Sequence, residues 1–549
     1  MINVREKEIL ATNNIAYTLL KNRNYTDTEI DHILNKPWLS IKDPHSIHNA
    51  TIAAQKIYEY VQNSEAEIFV FGDYDVDGLM SVYIIDKILN EHHQGYHASY
   101  FPTRDEGYGL NMAFCQNIIN NQNANIPILI ITVDNGISCV NEIKYLKDHN
   151  IEVVVLDHHE AKNEVPDCII VDPHGNCPQQ EHGHLSGCGV TFKVCQIIQE
   201  LYNQYDMMQY TPYVAFTILS DVMTLTEENM VFIRYGLSLL NDPEFNNKGL
   251  KELINYLGLQ YKVTPDDLSW TIIPMLNACG RIEKIDYAYT LLVSENNSEI
   301  DNTIYYIQQL SNYRKDLTKQ ASLITDSIEL PEPNKINFIY LNVPDKYKPI
   351  LGTIASKITE LGYNAAIVSC IINKKYHASA RSNDINLQKL FEKAIIDQAI
   401  ESYGGHSHAA ACQFTEMQMQ RLSNYMNQNL DQYQEWAIES DHEQIDAEIT
   451  LRDIDSWEFY NQFNDLAFEN DPVFLFKNNI CIKQSVSKNN PKNIKYVLKN
   501  DNLIKDIWVW NHDPYILNNK NYIQIQGGIT RDFMRKNKLT IRVNDIQIQ

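Results

Sequence analysis

Four short apolar runs, Glu67–Gly72, Ile126–Val133, Ile151–Leu156 and Cys168–Val171, each stop at an aspartate: Asp73, Asp134, Asp157 and Asp172. Runs of this length rich in Val, Ile and Phe read as strands buried on both faces. Between them, Leu79–Leu89 and Val140–His149 carry the apolar spacing of helices. Strands buried on both faces and alternating with helices specify a parallel, doubly wound α/β sheet. Right-handed crossovers bring the carboxyl ends of such strands to one edge, where open α/β sheets place their ligands. Asp73, Asp75, Asp77, Asp134, Asp157, His158 and His159, far apart in the chain, are therefore expected on one rim.

Asp73-Tyr-Asp75-Val-Asp77 crowds three carboxylates onto one strand-to-helix turn flanked by Gly72 and Gly78. Two unit charges about 4 Å apart cost about 4 kcal/mol at an effective dielectric near 20, so the turn calls for a cation. An acidic surface turn would explain one such stretch; it does not explain several in succession, each directly behind a buried strand. Four or five carboxylates with one or two imidazoles describe a site for two divalent metal ions, which suits phosphate chemistry. Oxygen ligands fit Mg²⁺ or Mn²⁺, and the added imidazole favours Mn²⁺. Asp221, directly behind the apolar helical stretch Phe216–Ser220, reads equally as a further ligand and as a surface acid closing a helix.

At 549 residues the chain is long for a single core, which suggests two to four domains. Residues 1–60 read as a helical lead-in, 61–297 as the catalytic α/β domain and 298–330 as a connecting helix. A second α/β domain is expected over 331–438 and a β-rich barrel or sandwich over 439–549. Pro274–Arg281 reads as a polar loop carrying one cation, and Gly404-Gly405-His406 as a close-approach loop with an imidazole. The net charge of −24 excludes a protein that coats nucleic acid by charge alone, yet from Asp471 onward 13 Lys and Arg face 6 Asp and Glu. That local excess points to a module facing a polyanion. Ten scattered cysteines without a Cys-x-x-Cys pair indicate a reducing compartment. With no apolar run of membrane-spanning length, the expected location is cytoplasmic, without membrane contact.

The motifs Asp73-Tyr-Asp-Val-Asp-Gly78, Asp134-Asn-Gly136, Asp157-His-His159 and Ser220-Asp221-Val222 resemble those of the DHH phosphoesterase superfamily. Within it, Leu20–Arg23, Arg104 with Glu106–Gly109, Leu185–Gly189, Asn277–Arg281 and Gly404–His406 are similar to the RecJ-type exonucleases specific for single-stranded DNA. The resemblance covers roughly residues 15 to 549 and is faint after about 440. It implies a DHH domain, a DHHA1-like domain and an OB-like C-terminal domain. It also implies 5′→3′ hydrolysis of single-stranded DNA in repair and recombination, with a single-strand-binding protein or a helicase as candidate partners.

By the same resemblance Asp75, Asp77, Asp134, His158 and Asp221 hold two Mn²⁺ ions, with Asp134 bridging, Asp73 beside them and Mg²⁺ as the alternative metal. Asp157 is expected to orient His158, and His159 to contact the scissile phosphate. Arg281, Arg381 and His406 would grip phosphates, and Arg104, Asn277, Ser379, Gly404 and Gly405 complete the expected substrate site. Trp508, Trp510, Tyr496 and Tyr522 are candidates for base stacking, although barrel cores also use such residues. One departure stands out: Lys346–Ile350 replaces the Trp-His-x-Gly-Val usual before Gly352, so a histidine and a glycine are missing. Two rival readings are a DHH hydrolase of short oligonucleotides or cyclic dinucleotides and a scaffold that binds without catalysis.

Overall fold

The structure, a computed structural model, describes residues 14–103, 106–107, 109–121, 126–161, 164–174, 182–204, 206–329, 337–405, 407–433, 445–486, 494–500, 503–509, 522–531 and 539–548. Strands β1 (Glu67–Phe71), β2 (Tyr96–Tyr100), β3 (Ile128–Val133), β4 (Glu152–Leu156) and β5 (Ile169–Val171) form a parallel sheet in the order β2-β1-β3-β4-β5. Successive side chains of a strand point to opposite faces. Accordingly Leu129, Ile131 and Val133 join one core with the helices Ala50–Gln62, Val76–His92 and Gly187–Leu201. Ile128 and Ile130 join a second core with the helices Met112–Asn121 and Val140–Lys147. The chain leaves β1 in one direction toward β2 and continues β3-β4-β5 in the other. The crevice therefore opens beyond the ends of β1 and β3, where Asp73 and Asp134 follow.

The helix Asn297–Thr325, 29 residues long and free of Pro and Gly, leads to a second sheet. Its strands β6 (Phe338–Asn342), β7 (Ala365–Ile372), β8 (Lys375–Ser382), β9 (Ser402–Gly405) and β10 (Ala409–Phe414) run in the order β6-β7-β8-β10-β9. Along β8 the alternation sends Tyr376, Ala378 and Ala380 into the core and leaves His377, Ser379 and Arg381 half-exposed on the other face.

The third sheet comprises β11 (Ala447–Ile449), β12 (Phe474–Val486), β13 (Ile494–Asn500), β14 (Leu503–Val509), β15 (Tyr522–Arg531) and β16 (Leu539–Ile548). Pairing of β12 with β15 closes β12-β13-β14-β16-β15 into a five-stranded OB-type ring. The N-terminal helices Ile15–Asn22 and Asp27–Asn35 contribute Leu19, Leu20, Ile30 and Ile33 to the barrel's core, together with Met230 and Val231 of the first α/β domain. Arg23 pairs with Asp446, and Arg234 donates to the carbonyls of Ile33 and Leu34 at 2.7 Å each.

Two expectations change. Pro274–Arg281 is not a loop: Ile273–Arg281 is a helix, with its proline in the first turn, where no N–H is needed. Tyr496 is 1% exposed and belongs to the barrel core, so it does not offer a stacking face. Trp510 and the side chains of Trp508 and Tyr522 lie outside the described residues. Among the described residues no helix is long and apolar enough to cross a membrane.

Candidate metal centre and substrate cleft

Asp75 caps the helix Val76–His92, its carboxylate accepting from the backbone N–H of Asp77 and Gly78. The turn is tight enough that a Cβ on Gly78 would lie 2.4 Å from the backbone nitrogen of Asp73. Asp77 accepts from the N–H groups of Gly187 and Cys188 at 2.7 Å each, so the amino end of the helix Gly187–Leu201 faces a carboxylate. Asp134 follows β3 in the left-handed region, at φ 60°. A Cβ on Gly187 would stand 2.7 Å from the Cβ of Asp134, so the glycine admits this acid to the rim. Asp221 ends the helix Thr211–Ser220, and Val222 behind it is also left-handed, at φ 53°, a costly conformation for a β-branched residue.

These elements bring distant acids together. Nε2 of His158 lies 3.2 Å from Asp134, 3.6 Å from Asp77 and 3.8 Å from Asp221. Ligand atoms of Asp77, Asp134, His158 and Asp221 fall within 4.8 Å of one another, and so do those of Asp73, Asp75 and Asp134. Asp134 belongs to both groups, as a residue bridging two neighbouring ions would. Burial, followed by repulsion from Asp75, pushes the Asp77 carboxyl up to about 7 despite the N–H groups it accepts. Burial and the surrounding carboxylates also raise Asp134 and Asp221 well above the usual range. A buried cluster of carboxylates with one imidazole fits divalent ions of the Mn²⁺ or Mg²⁺ kind.

Asp157 serves a different imidazole from the one expected. Its Oδ1 is 2.7 Å from Nδ1 of His159 and accepts from the N–H of His158 and His159, while Oδ2 accepts from Ile137. With both oxygens so engaged, Asp157 holds His159 at the rim, and His158 turns to the acids. Burial disfavours a charged His159, but the charge and hydrogen bond of Asp157, with Asp73 and Asp75 adding, lift it to about 9. Asp157 itself, although buried, is drawn down to about 2 by His159.

A cleft of about 750 Å³ separates this rim from the second sheet. Arg281 and Asn277 line it on the rim side; Ser379, Arg381, Gly404 and Gly405 line the opposite wall. Asn277 also accepts from the N–H of Val76 at 3.0 Å and donates to Ser220 at 3.4 Å, tying the aspartate turn to the helix end that carries Asp221. Arg104 and His406 lie outside the described residues. Sequence reasoning missed Gly280, whose Cβ would lie 1.7 Å from the carbonyl oxygen of Tyr74, and Lys348, which lines the cleft. Gly280 lies within the Asn277–Arg281 motif, but its role is set by a contact some 200 residues distant; Lys348 lies in Lys346–Ile350, which departs from the family pattern and so gave no role to its lysine. Gln388 donates to Glu160 at 3.0 Å and Lys348 to Glu283 at 2.8 Å, two bonds that join the cleft walls.

Comparison with known proteins agrees with this geometry. The family model "DHH family, N-terminal domain" matches residues 67–219 and "DHHA1 domain" matches residues 335–432. The single-stranded-DNA-specific exonuclease RecJ of Bacillus subtilis is 31% identical over 397 residues, covering 71% of this chain and 48% of the relative. The chain thus spans about half the length of that relative. The RecJ of Haemophilus influenzae is 24% identical over 455 residues, 78% of this chain and 77% of its own. Among solved structures, RecJ from Thermus thermophilus in complex with Mn²⁺ superimposes with a TM-score of 0.70 at 20% identity, covering 91% of this chain and 72% of that one. An exonuclease RecJ bound to manganese gives a TM-score of 0.59 at 23% identity, covering 70% and 95%. The fold is therefore shared over all three sheets, and the chain carries a region similar to the DHH N-terminal domain followed by one similar to the DHHA1 domain.

Proposed function

We propose that this chain is a metal-dependent exonuclease that hydrolyses phosphodiester bonds of single-stranded DNA from the 5′ end, in repair and recombination. The observation that carries the reading is the cleft: a rim of convergent acids and imidazoles faces a wall carrying Arg381 across a gap joined at two points. Asp75, Asp77, Asp134, His158 and Asp221 would hold two Mn²⁺ or Mg²⁺ ions, with Asp73 beside them and Asp134 shared. Ions bound there would acidify water and offset charge on the phosphoryl group. His159, oriented by its hydrogen bond to Asp157, faces the charge gathering on the phosphate oxygens. Arg281 and Arg381 orient the phosphates from opposite walls, and the backbone of Gly404 and Gly405 lets the strand approach closely.

A second cavity of about 1020 Å³ shares Ser220, Asn277 and Arg281 with the cleft and continues past Trp270 and Arg314 to Arg542 of the barrel. A strand seated at the rim has this path toward the OB-type ring, whose fold suits single-stranded nucleic acid. A single-strand-binding protein or a helicase would deliver such strands in the cytoplasm.

Digestion of end-labelled single and double strands with Mn²⁺, Mg²⁺ or chelator tests the reading. The expected result is mononucleotide release from the 5′ end of the single strand, abolished by chelator. A dinucleotide should turn over far more slowly than a long 5′-phosphorylated strand; the reverse order would favour a hydrolase of short oligonucleotides. Cleavage that survives in Asp134→Asn would overturn the metal assignment.

A further inference from the structure

The cleft contains a cation that neither the motifs nor the resemblance indicated. Lys348 lies in the turn Asp345–Ile350, its side chain 15% exposed and its Nζ 2.8 Å from Oε1 of Glu283. Glu283 follows Arg281 by two residues and takes a left-handed conformation, at φ 59°. Four residues beyond Lys348, the backbone at Gly352 packs so closely on Arg381 that a Cβ there would stand 2.6 Å from Nη2. Lys348 is thus linked through Glu283 to the segment carrying Arg281 and, through its own turn, to the strand carrying Arg381.

We propose that Lys348 is a further substrate-binding residue, which exchanges Glu283 for a phosphate of the bound strand. The inference rests on the nucleolytic reading above. Glu283 is 33% exposed in this pair, so water solvates its carboxylate once a phosphate takes its place on Lys348. A phosphate brings more acceptor oxygens than the carboxylate and gives charge-assisted bonds in return. The neighbouring Tyr347 is 6% exposed and packs into the core beneath, so in this turn the cleft-facing position belongs to Lys348.

The test compares Lys348→Met and Glu283→Gln in the full chain, using a 5′-phosphorylated oligothymidylate. With Mn²⁺, Lys348→Met should raise KM about tenfold with kcat changed less than about threefold, the signature of lost ground-state binding. Glu283→Gln should leave KM unchanged or lower it, because it releases the lysine. In chelator, fluorescence anisotropy of the same strand should show the slope of log affinity against log salt reduced by about 0.7 in Lys348→Met, the loss of one phosphate contact. Equal rises in KM for both variants with an unchanged salt slope would reduce Lys348 to a strut between the walls and overturn the proposal. Absence of cleavage by the unmutated protein in either metal would instead overturn the nuclease reading, and the slope in chelator would still decide for or against Lys348.

Discussion

A methyl group at Gly280 would lie 1.7 Å from the carbonyl oxygen of Tyr74, which belongs to the aspartate turn. Backbone does not yield as a flexible side chain does, so Gly280→Ala must push the helix Ile273–Arg281 away from Asp73–Asp77. Asn277 and Arg281 ride on that helix and would move with it. A displacement of about 1 Å at a site of this kind costs about 100-fold in rate. We expect kcat to fall by about that factor while the circular dichroism spectrum keeps its native shape; a variant with full activity would show that the helix position is irrelevant to the site. The same residues show what was legible in the sequence. The shared rim of Asp73, Asp134 and Asp157 was, because each stands directly behind an apolar run, whereas Asp221, behind a helix, read equally as a surface acid. The helix was not, because Pro274 and Gly280 read locally as breakers, whereas the proline sits in the first turn and the glycine answers to a distant carbonyl. Asp157 was placed correctly and its partner was not: adjacent residues compete for one carboxylate, and the backbone bend that gives it to His159 has no counterpart in spacing.

The helix Gly187–Leu201 presents its amino end to Asp77, and its own position depends on a buried network of charges. Lys193 on that helix donates to Glu228 at 2.7 Å and to the carbonyl of Lys42 at 2.6 Å. Glu228 also lies 2.8 Å from Nε2 of His184, just before the helix, and accepts from the N–H of Lys42. Burial disfavours a charged Glu228, but the hydrogen bond of His184 and the charge of Lys193 more than offset it and draw it to about 2. Because this value lies below that of an unfolded glutamate, near 4.5, the group stabilises the fold above about pH 4.5. That contribution disappears as pH falls from there toward 2. Glu228→Gln leaves the Lys193 ammonium buried without its counter-charge, at a cost of about 3–5 kcal/mol near neutrality. Urea melts at pH 7 should show that deficit, and the gap between variant and parent should narrow by pH 3. A gap independent of pH would assign the loss to packing instead. His182, 2.7 Å from Ser46, is drawn down to about 4 by burial. The unfolded chain therefore takes up a proton there first, and stability falls as pH drops from about 6.5 toward 4.

At the scale of the whole molecule, the N-terminal helices fasten the barrel to the first α/β domain, and the second cavity runs along that junction. None of this was visible in the strand pattern, because residues such as Leu19 and Phe474 meet from opposite ends of the chain. Trp270 stands on the cavity wall in the π-helical turn Leu268–Ile272 and is 77% exposed. Such bulges push a side chain out of the helical array and recur at functional sites. A base stacked on that indole would contribute about 1–3 kcal/mol, a factor of about five to 150 in affinity. The contribution is available only to strands long enough to pass Arg281 and reach the cavity. Trp270→Ala should therefore raise KM for a long oligothymidylate by at least about fivefold and leave the shortest cleavable oligomers unaffected, since their phosphates end at the rim. The measurement is KM against strand length for parent and variant in Mn²⁺. Curves that separate beyond a threshold length place the strand in the cavity, whereas parallel curves displaced at every length would place the effect of Trp270 in the shape of the site itself.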